Sequence, residues 1–325
     1  MTPTEPIGQA VIERKQHDTG EQAGTAIKNV LFATDFSAIS EAALPYAAAI
    51  CRRFGSTLHI AHVMSDTSLL MATGGVDYVS LGTMYDAAQA EAKEKIEQIV
   101  ERLGGIPHRD YVRHGQIWGA LAEIIAGAGI DLIVVGTHGR TGLGKLLLGS
   151  VAEDILRHAP CPVLTIGPKI SGRDKLPTFP NHRRDLDPAE LEVRHILLAT
   201  DFAPNAGTHA ERAVALAHSF GAQLTLLHVM EEYAELGSRS APVEESLSRL
   251  RGLIPPSAVM AYSIETVLEF GPAFERILKV AQDREVDLIV LGARSAELAG
   301  TSRLPWSTAH EVIAKAHCPV LTLRD

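Results

Sequence analysis

The chain is one pattern written twice. Asn29-Val-Leu-Phe-Ala-Thr-Asp35-Phe36 returns as His195-Ile-Leu-Leu-Ala-Thr-Asp201-Phe202, and Phe54-Gly-Ser-Thr-Leu-His-Ile-Ala-His-Val-Met64 returns as Phe220-Gly-Ala-Gln-Leu-Thr-Leu-Leu-His-Val-Met230. Ile130-Asp-Leu-Ile-Val-Val-Gly136 and Cys161-Pro-Val-Leu-Thr-Ile166 return as Val286-Asp-Leu-Ile-Val-Leu-Gly292 and Cys318-Pro-Val-Leu-Thr-Leu323. The blocks keep their order, so the chain reads as a duplication. Each unit spans roughly 130–140 residues, the size of a domain and not of a solenoid repeat. The division is a flexible polar tail over 1–27, a first domain over 28–168, a linker over 169–192 rich in proline and charge, and a second domain over 193–325.

Inside each unit, short β-branched runs alternate with longer helical patterns. In the first, strands are expected over Val30–Thr34, Thr57–Val63, Arg109–His114, Asp131–Gly136 and Pro162–Ile166, and helices over Ser40–Phe54, Met84–Leu103, Ile117–Ala128 and Ser150–His158. Strands apolar on both faces and separated by helices imply an α/β fold: a parallel sheet covered on both sides, doubly wound by right-handed crossovers. Ligands of such sheets sit beyond the carboxyl ends of the strands, where the strand order reverses. The informative loops are therefore Asp35–Ser37, Met64–Thr83 and Thr137–Leu148.

Composition removes several classes of function. No apolar run approaches the ~18 residues of a membrane helix, and the N-terminus has no cationic start followed by an apolar stretch. No membrane partner is expected, and the reading is of a soluble cytoplasmic protein. A formal net charge of −9 gives no basic footprint for a nucleic-acid backbone. Three widely spaced cysteines, Cys51, Cys161 and Cys318, form neither a disulfide framework nor a zinc pattern and read as buried thiols. His59, His108, His114 and His138 lack metal-ligand periodicity, His62 reads as a hydrogen-bonded packing residue, and Trp118 and Trp306 as packing residues.

The loop after the fourth strand carries the chemistry. It reads Gly136-Thr-His-Gly139-Arg-Thr-Gly-Leu-Gly-Lys-Leu-Leu-Leu-Gly149-Ser150. Glycines let backbone N–H groups approach phosphate oxygens, and Gly149-Ser150 opens a helix whose unsatisfied N–H groups favour an anion. Ser150 is placed to cap that helix, while Arg140 and Lys145 add positive charge. The competing reading is a glycine-shaped surface loop. Gly139 to Lys145 also fits the start of a P-loop, but Leu146 stands where the Mg²⁺-holding hydroxyl belongs, so a P-loop NTPase is set aside.

Taken together these residues resemble the universal stress protein family in its tandem two-domain form, over nearly the whole chain outside tail and linker. Gly136, Gly139, Gly149 and Ser150 match the family's ATP-binding spacing, G-x-x-G, nine residues, then G and Ser or Thr, joined to Ala33-Thr34-Asp35-Phe36-Ser37 and His62-Val63. The resemblance implies two five-stranded sheets of order 3-2-1-4-5, of the adenine nucleotide alpha hydrolase-like kind. It implies ATP, with or without Mg²⁺, as the ligand. Thr34 and Asp35 would border the nucleoside, Asp35 holding it through its carboxylate; Val63 would meet the adenine through its backbone; Gly136, Gly139, Arg140, Gly149, Ser150 and Val151 would line the phosphates. For Asp35 a turn-capping role stays open beside this one. The resemblance also implies pairing through the last strand, here between the two domains of one chain, with a further homodimer left open.

The second copy departs where phosphate would bind. Ser295 replaces Gly139, the loop is one residue longer, Trp306 stands for Gly149, and Ser307 aligns with Ser150. Asp201 and Val229 persist, and Arg294 and Arg303 are placed to compensate. The expectation is that the second domain binds ATP weakly or not at all. The first domain carries about ten extra residues, and Ser65–Gly82 is expected to form a mobile lid, with a plain surface insertion as the alternative. The function expected is that of an ATP-binding regulator or sensor in a stress response, with no catalytic residues assigned. Slow ATP hydrolysis and a nucleotide-independent interaction scaffold are the alternatives.

Overall fold

The computed structural model describes residues 27–65, 78–137, 148–167, 169–170, 193–231, 241–259, 263–292 and 304–324. The first half runs β1 (Asn29–Ala33), α1 (Ala38–Glu41), α2 (Leu44–Phe54), β2 (Thr57–Met64), α3 (Tyr78–Glu101), β3 (His108–His114), α4 (Ile117–Ala128), β4 (Leu132–Gly136), α5 (Ser150–His158) and β5 (Val163–Ile166). The second runs β6 (His195–Ala199), α6 (Ala206–Phe220), β7 (Gln223–Met230), α7 (Ala241–Gly252), α8 (Pro256–Val259), β8 (Ile264–Phe270), α9 (Ala273–Asp283), β9 (Leu288–Gly292), α10 (Leu304–Lys315) and β10 (Val320–Leu323). Among the described residues no helix is long and apolar enough to cross a membrane.

Both halves have the expected strand order, and they are fused. A single ten-stranded sheet runs β3-β2-β1-β4-β5-β10-β9-β6-β7-β8. Every pairing within a half is parallel. Among the described residues the one antiparallel pairing joins β5 to β10, with Leu164 opposite Leu321. The intramolecular pairing of the two domains is thus built directly into the sheet.

Strict alternation of apolar side chains sorts the strands onto two faces. Val30 and Phe32 of β1 point to one side with α2 and α3, and Leu31 and Ala33 to the other with α4 and α5. The buried residues therefore form two clusters, one per face of the sheet. Each cluster continues through both halves: Ile99 and Leu250 share the first, Ile155 and Val312 the second.

Local sequence explains most of the boundaries. Gly55 and Gly221 end α2 and α6 at φ 66° and 68°, a left-handed cap open to glycine. The helix expected over Ser40–Phe54 breaks in two: Ser37 caps α1 by accepting from the Ser40 N–H, and α2 restarts with Pro45 in its first turn, where no donor is lost. α3 begins at Tyr78, ahead of the expected Met84, so the last residues assigned to a lid, from Tyr78 to Gly82, are helical. The rest of that segment, 66–77, lies outside the described residues. Ile27, assigned to the tail, is buried, and its carbonyl accepts from Ser56 Oγ at 2.5 Å.

Candidate functional site

The first half opens a cavity of about 460 Å³ at the carboxyl ends of β1, β2 and β4. Chain order reverses between β1 and β4, so this is the switch point expected of the fold. Of the sequence-selected residues, Thr34, Asp35, Val63, Gly136, Gly149, Ser150 and Val151 all line it. Gly139 and Arg140, with the rest of the glycine loop over 138–147, lie outside the described residues.

The turn after β1 is held from several directions. Phe36 takes φ 59°, a left-handed conformation that a bulky side chain adopts only when its surroundings impose it. Here they do. Its N–H donates to Thr34 Oγ1 at 3.0 Å, its ring lies 4.3 Å from that of His62, and Lys95 Nζ sits 5.4 Å from its centroid. His62 Nδ1 donates to the Thr34 carbonyl at 2.8 Å, the packing role expected of it. The Thr34 hydroxyl is 2.8 Å from Ser40 Oγ, which places it in the frame of the turn. Asp35 Oδ1 accepts from the Ser37 N–H at 3.0 Å, so the turn-capping role is real, and the residue borders the cavity as well.

The opposite wall is the start of α5. Gly149, not Ser150, is its N-cap, with φ −64° and ψ 146°; its N–H donates to the Thr137 carbonyl at 2.7 Å and it supplies no side-chain cap. Ser150 is the first helical residue and does not cap the helix, because the chain is still extended at Gly149. Helix geometry leaves the N–H groups of Ser150, Val151 and Ala152 without an intrahelical acceptor, and all three residues line the cavity. The start of α4 contributes Ile117, and its N-cap, Gln116, likewise makes no side-chain cap. Two helix N-termini whose N-cap residues supply no side-chain cap therefore face one cavity, an environment that favours an anion.

Gly136 is required by the fold itself. A Cβ there would stand 2.9 Å from the Ile39 carbonyl oxygen and 3.0 Å from Ser40 Cα, because α1 crosses directly over the end of β4.

Sequence reasoning did not select Phe36, Ser40, Ala152, Glu91 or Lys95 for the site, yet each lines it. Glu91 and Lys95 pair at 2.5 Å, one turn apart on α3. An i,i+4 spacing on a helix signals an ion pair and nothing more; only the crossover to β3 lays this face beside the cavity. Lys95 is the only Lys or Arg among the described lining residues.

The second half repeats the scheme with changes. Phe202 has φ 59°, its ring lies 4.2 Å from that of His228, and His228 Nδ1 donates to the Thr200 carbonyl at 2.8 Å. Asp201 Oδ1 accepts from the Ala203 N–H at 3.0 Å. The cavity is smaller, about 300 Å³.

The universal stress protein family model matches residues 26–167 and again 192–324. A universal stress protein of Methanocaldococcus jannaschii is 29% identical over 139 residues, 43% of this chain and 81% of its own length. Universal stress protein A homolog 1 of Coxiella burnetii is 32% identical over 140 residues, 43% of this chain and 95% of its own. The crystal structure of a universal stress protein from Archaeoglobus fulgidus superposes with a TM-score of 0.62 at 20% identity, covering 91% of this chain and 98% of that one, a likeness of fold.

Proposed function

The chain belongs to the universal stress protein family, twice over in tandem, and from that premise we propose that its first domain, residues 28–168, binds ATP and acts as a regulator or sensor in a stress response. The observation that carries this reading is the facing of two unlike walls across one cavity. On one side Asp35 and the backbone around Val63 offer polar contacts for a nucleoside. On the other the uncapped start of α5 offers N–H groups and a positive dipole end for phosphates. Gly139 and Arg140 extend the phosphate wall in this reading. Among the described residues no group of three or more His, Cys, Asp or Glu is placed to hold a metal ion.

The two domains are taken as 28–168 and 193–325, joined by the linker 169–192. The strand edge suited to a homodimer is consumed by β5–β10 pairing, so a dimer of whole chains needs another face. Light scattering across concentration reads that directly.

The test is calorimetric titration of the full chain with ATP, ADP and AMP, beside mass spectrometry of nucleotide retained on purification. Expected are a preference for ATP and about a tenfold or greater loss of affinity in Asp35→Ala, the scale of a hydrogen bond to a charged group. Saturation by none of the three sinks the reading, and ADP accumulating with time shifts it to slow hydrolysis.

A further inference from the structure

We propose that the cavity of the second domain is a binding site for an unphosphorylated nucleoside, and that the chain carries two sites of different ligand charge. The inference rests on the nucleotide reading of the first domain, because it follows from what the duplicate has kept and what it has replaced.

The nucleoside half is kept. Thr200, Asp201 and Val229 line the second cavity where Thr34, Asp35 and Val63 line the first. The turn has the same left-handed phenylalanine, the same carboxylate bond to the N–H two residues on, and the same histidine bond to the threonine carbonyl. The retained turn keeps the same carboxylate and backbone at the rim of the cavity.

The phosphate half is rebuilt against anions, in three places. First, Glu231 stands where the first domain has Ser65, lines the cavity, and accepts the Ala273 N–H of α9 through Oε1 at 2.9 Å. The chain's own carboxylate thus occupies a helix N-terminus, where the aligned position in the first domain is the uncharged Ser65. Second, α10 begins at Leu304, aligned three residues before the position of Ser150. At ~1.5 Å rise per residue the open N–H groups move by ~4.5 Å, and the groups aligned with Val151 and Ala152 become internal to the helix. Third, α1 has no counterpart. The buried His209 fills its place, with ring atoms 2.7 Å from where a Cβ on Gly292 would stand and Nε2 3.2 Å from Asn205 Nδ2. The described charged side chains lining this cavity are Asp201 and Glu231, both carboxylates, and the volume falls from about 460 to about 300 Å³. What remains among the described residues is a smaller pocket of acceptors, suited to the hydroxyls and the exocyclic amino group of a nucleoside and unfavourable to its phosphate esters.

Equilibrium dialysis of the full chain with labelled adenosine, at saturating ATP, tests this. One equivalent of adenosine is expected to bind in the presence of ATP. Asp201→Ala, with Asp201→Asn as a second variant should the first fail to fold, weakens it by about tenfold or more and leaves ATP stoichiometry at one. ATP filling two sites overturns the inference, as does adenosine that ATP displaces completely. The first of these leaves the first-domain reading intact; adenosine bound at Asp201 in a chain that takes no ATP keeps the second-domain site but removes the first-domain reading, and with it the pairing of two sites of different ligand charge.

Discussion

At the scale of single residues, the glycine that looks most like a ligand residue is also a structural one. Gly136 gives α1 room to cross β4, and the contact it would otherwise make is with backbone, which cannot swing aside. Gly136→Ala is expected to destabilise the chain by about 1–3 kcal/mol, the range for overpacking a filled interior, read as a lower urea midpoint. Two histidines make a pH-dependent contribution. His59 is pushed below the ordinary 6.5 by burial and then by Arg109; His228 is pushed down by burial and also by Arg249, while its bond to Thr200 and the charge of Asp201 pull upward. In the unfolded chain both take up a proton near pH 6.5, whereas the folded chain holds them neutral to lower pH. Their stabilising contribution is therefore full above 6.5 and lost as pH falls through their folded values. Urea midpoints at pH 7.5 and 5.5 are expected to drop on acidification, and the drop is expected to be shallower in the His59→Gln, His228→Gln double variant. The thiols behave differently: burial raises Cys51 and Cys161 to about 12, so both remain protonated and inert at neutral pH.

At the scale of elements, the seam between the halves is secured by side chains as well as backbone. Thr165 Oγ1 donates to the Val320 carbonyl at 3.0 Å and Thr322 Oγ1 to the Val163 carbonyl at 3.1 Å, a reciprocal pair buried across the β5–β10 junction. Replacing both threonines by valine keeps the shape and removes the two bonds. Denaturant titration should show a loss of about 1–3 kcal/mol for the pair. This level was also the most legible in the sequence. The strand runs followed from apolar runs and duplicated blocks; the order 3-2-1-4-5 in each half, and the choice of the seven described residues that line the cavity, came from the family resemblance. What the sequence hid depends on three-dimensional neighbours. Pro45 divides a helix that the Ala-rich pattern made continuous. The N-cap passes from Ser150 to Gly149 because backbone angle, not the capping preference of serine, decides where a helix starts. Lys95 and Glu91 enter the cavity only because a crossover lays α3 beside it.

At the scale of the molecule, the two hydrophobic clusters divide by sheet face and not by domain. Phe54 and Phe220 meet edge to face at 6.1 Å, and Arg53 reaches the Ser219 carbonyl, so α2 and α6 also lock the halves together. A chain built this way is expected to unfold in one transition, with calorimetric and van't Hoff enthalpies in agreement. A fragment ending at Gly167 exposes the apolar edge of β5 and is expected to self-associate through it, visible as doubled mass by light scattering. The same antiparallel seam turns the second five strands end for end relative to the first. The carboxyl ends that form one cavity thus lie on the rim opposite those that form the other. The protein is two-headed: its two pocket mouths open on opposite rims of the sheet. A surface or partner that covers one mouth leaves the other open to solution, and any influence of one occupant on the other has to cross the whole width of the β5–β10 join.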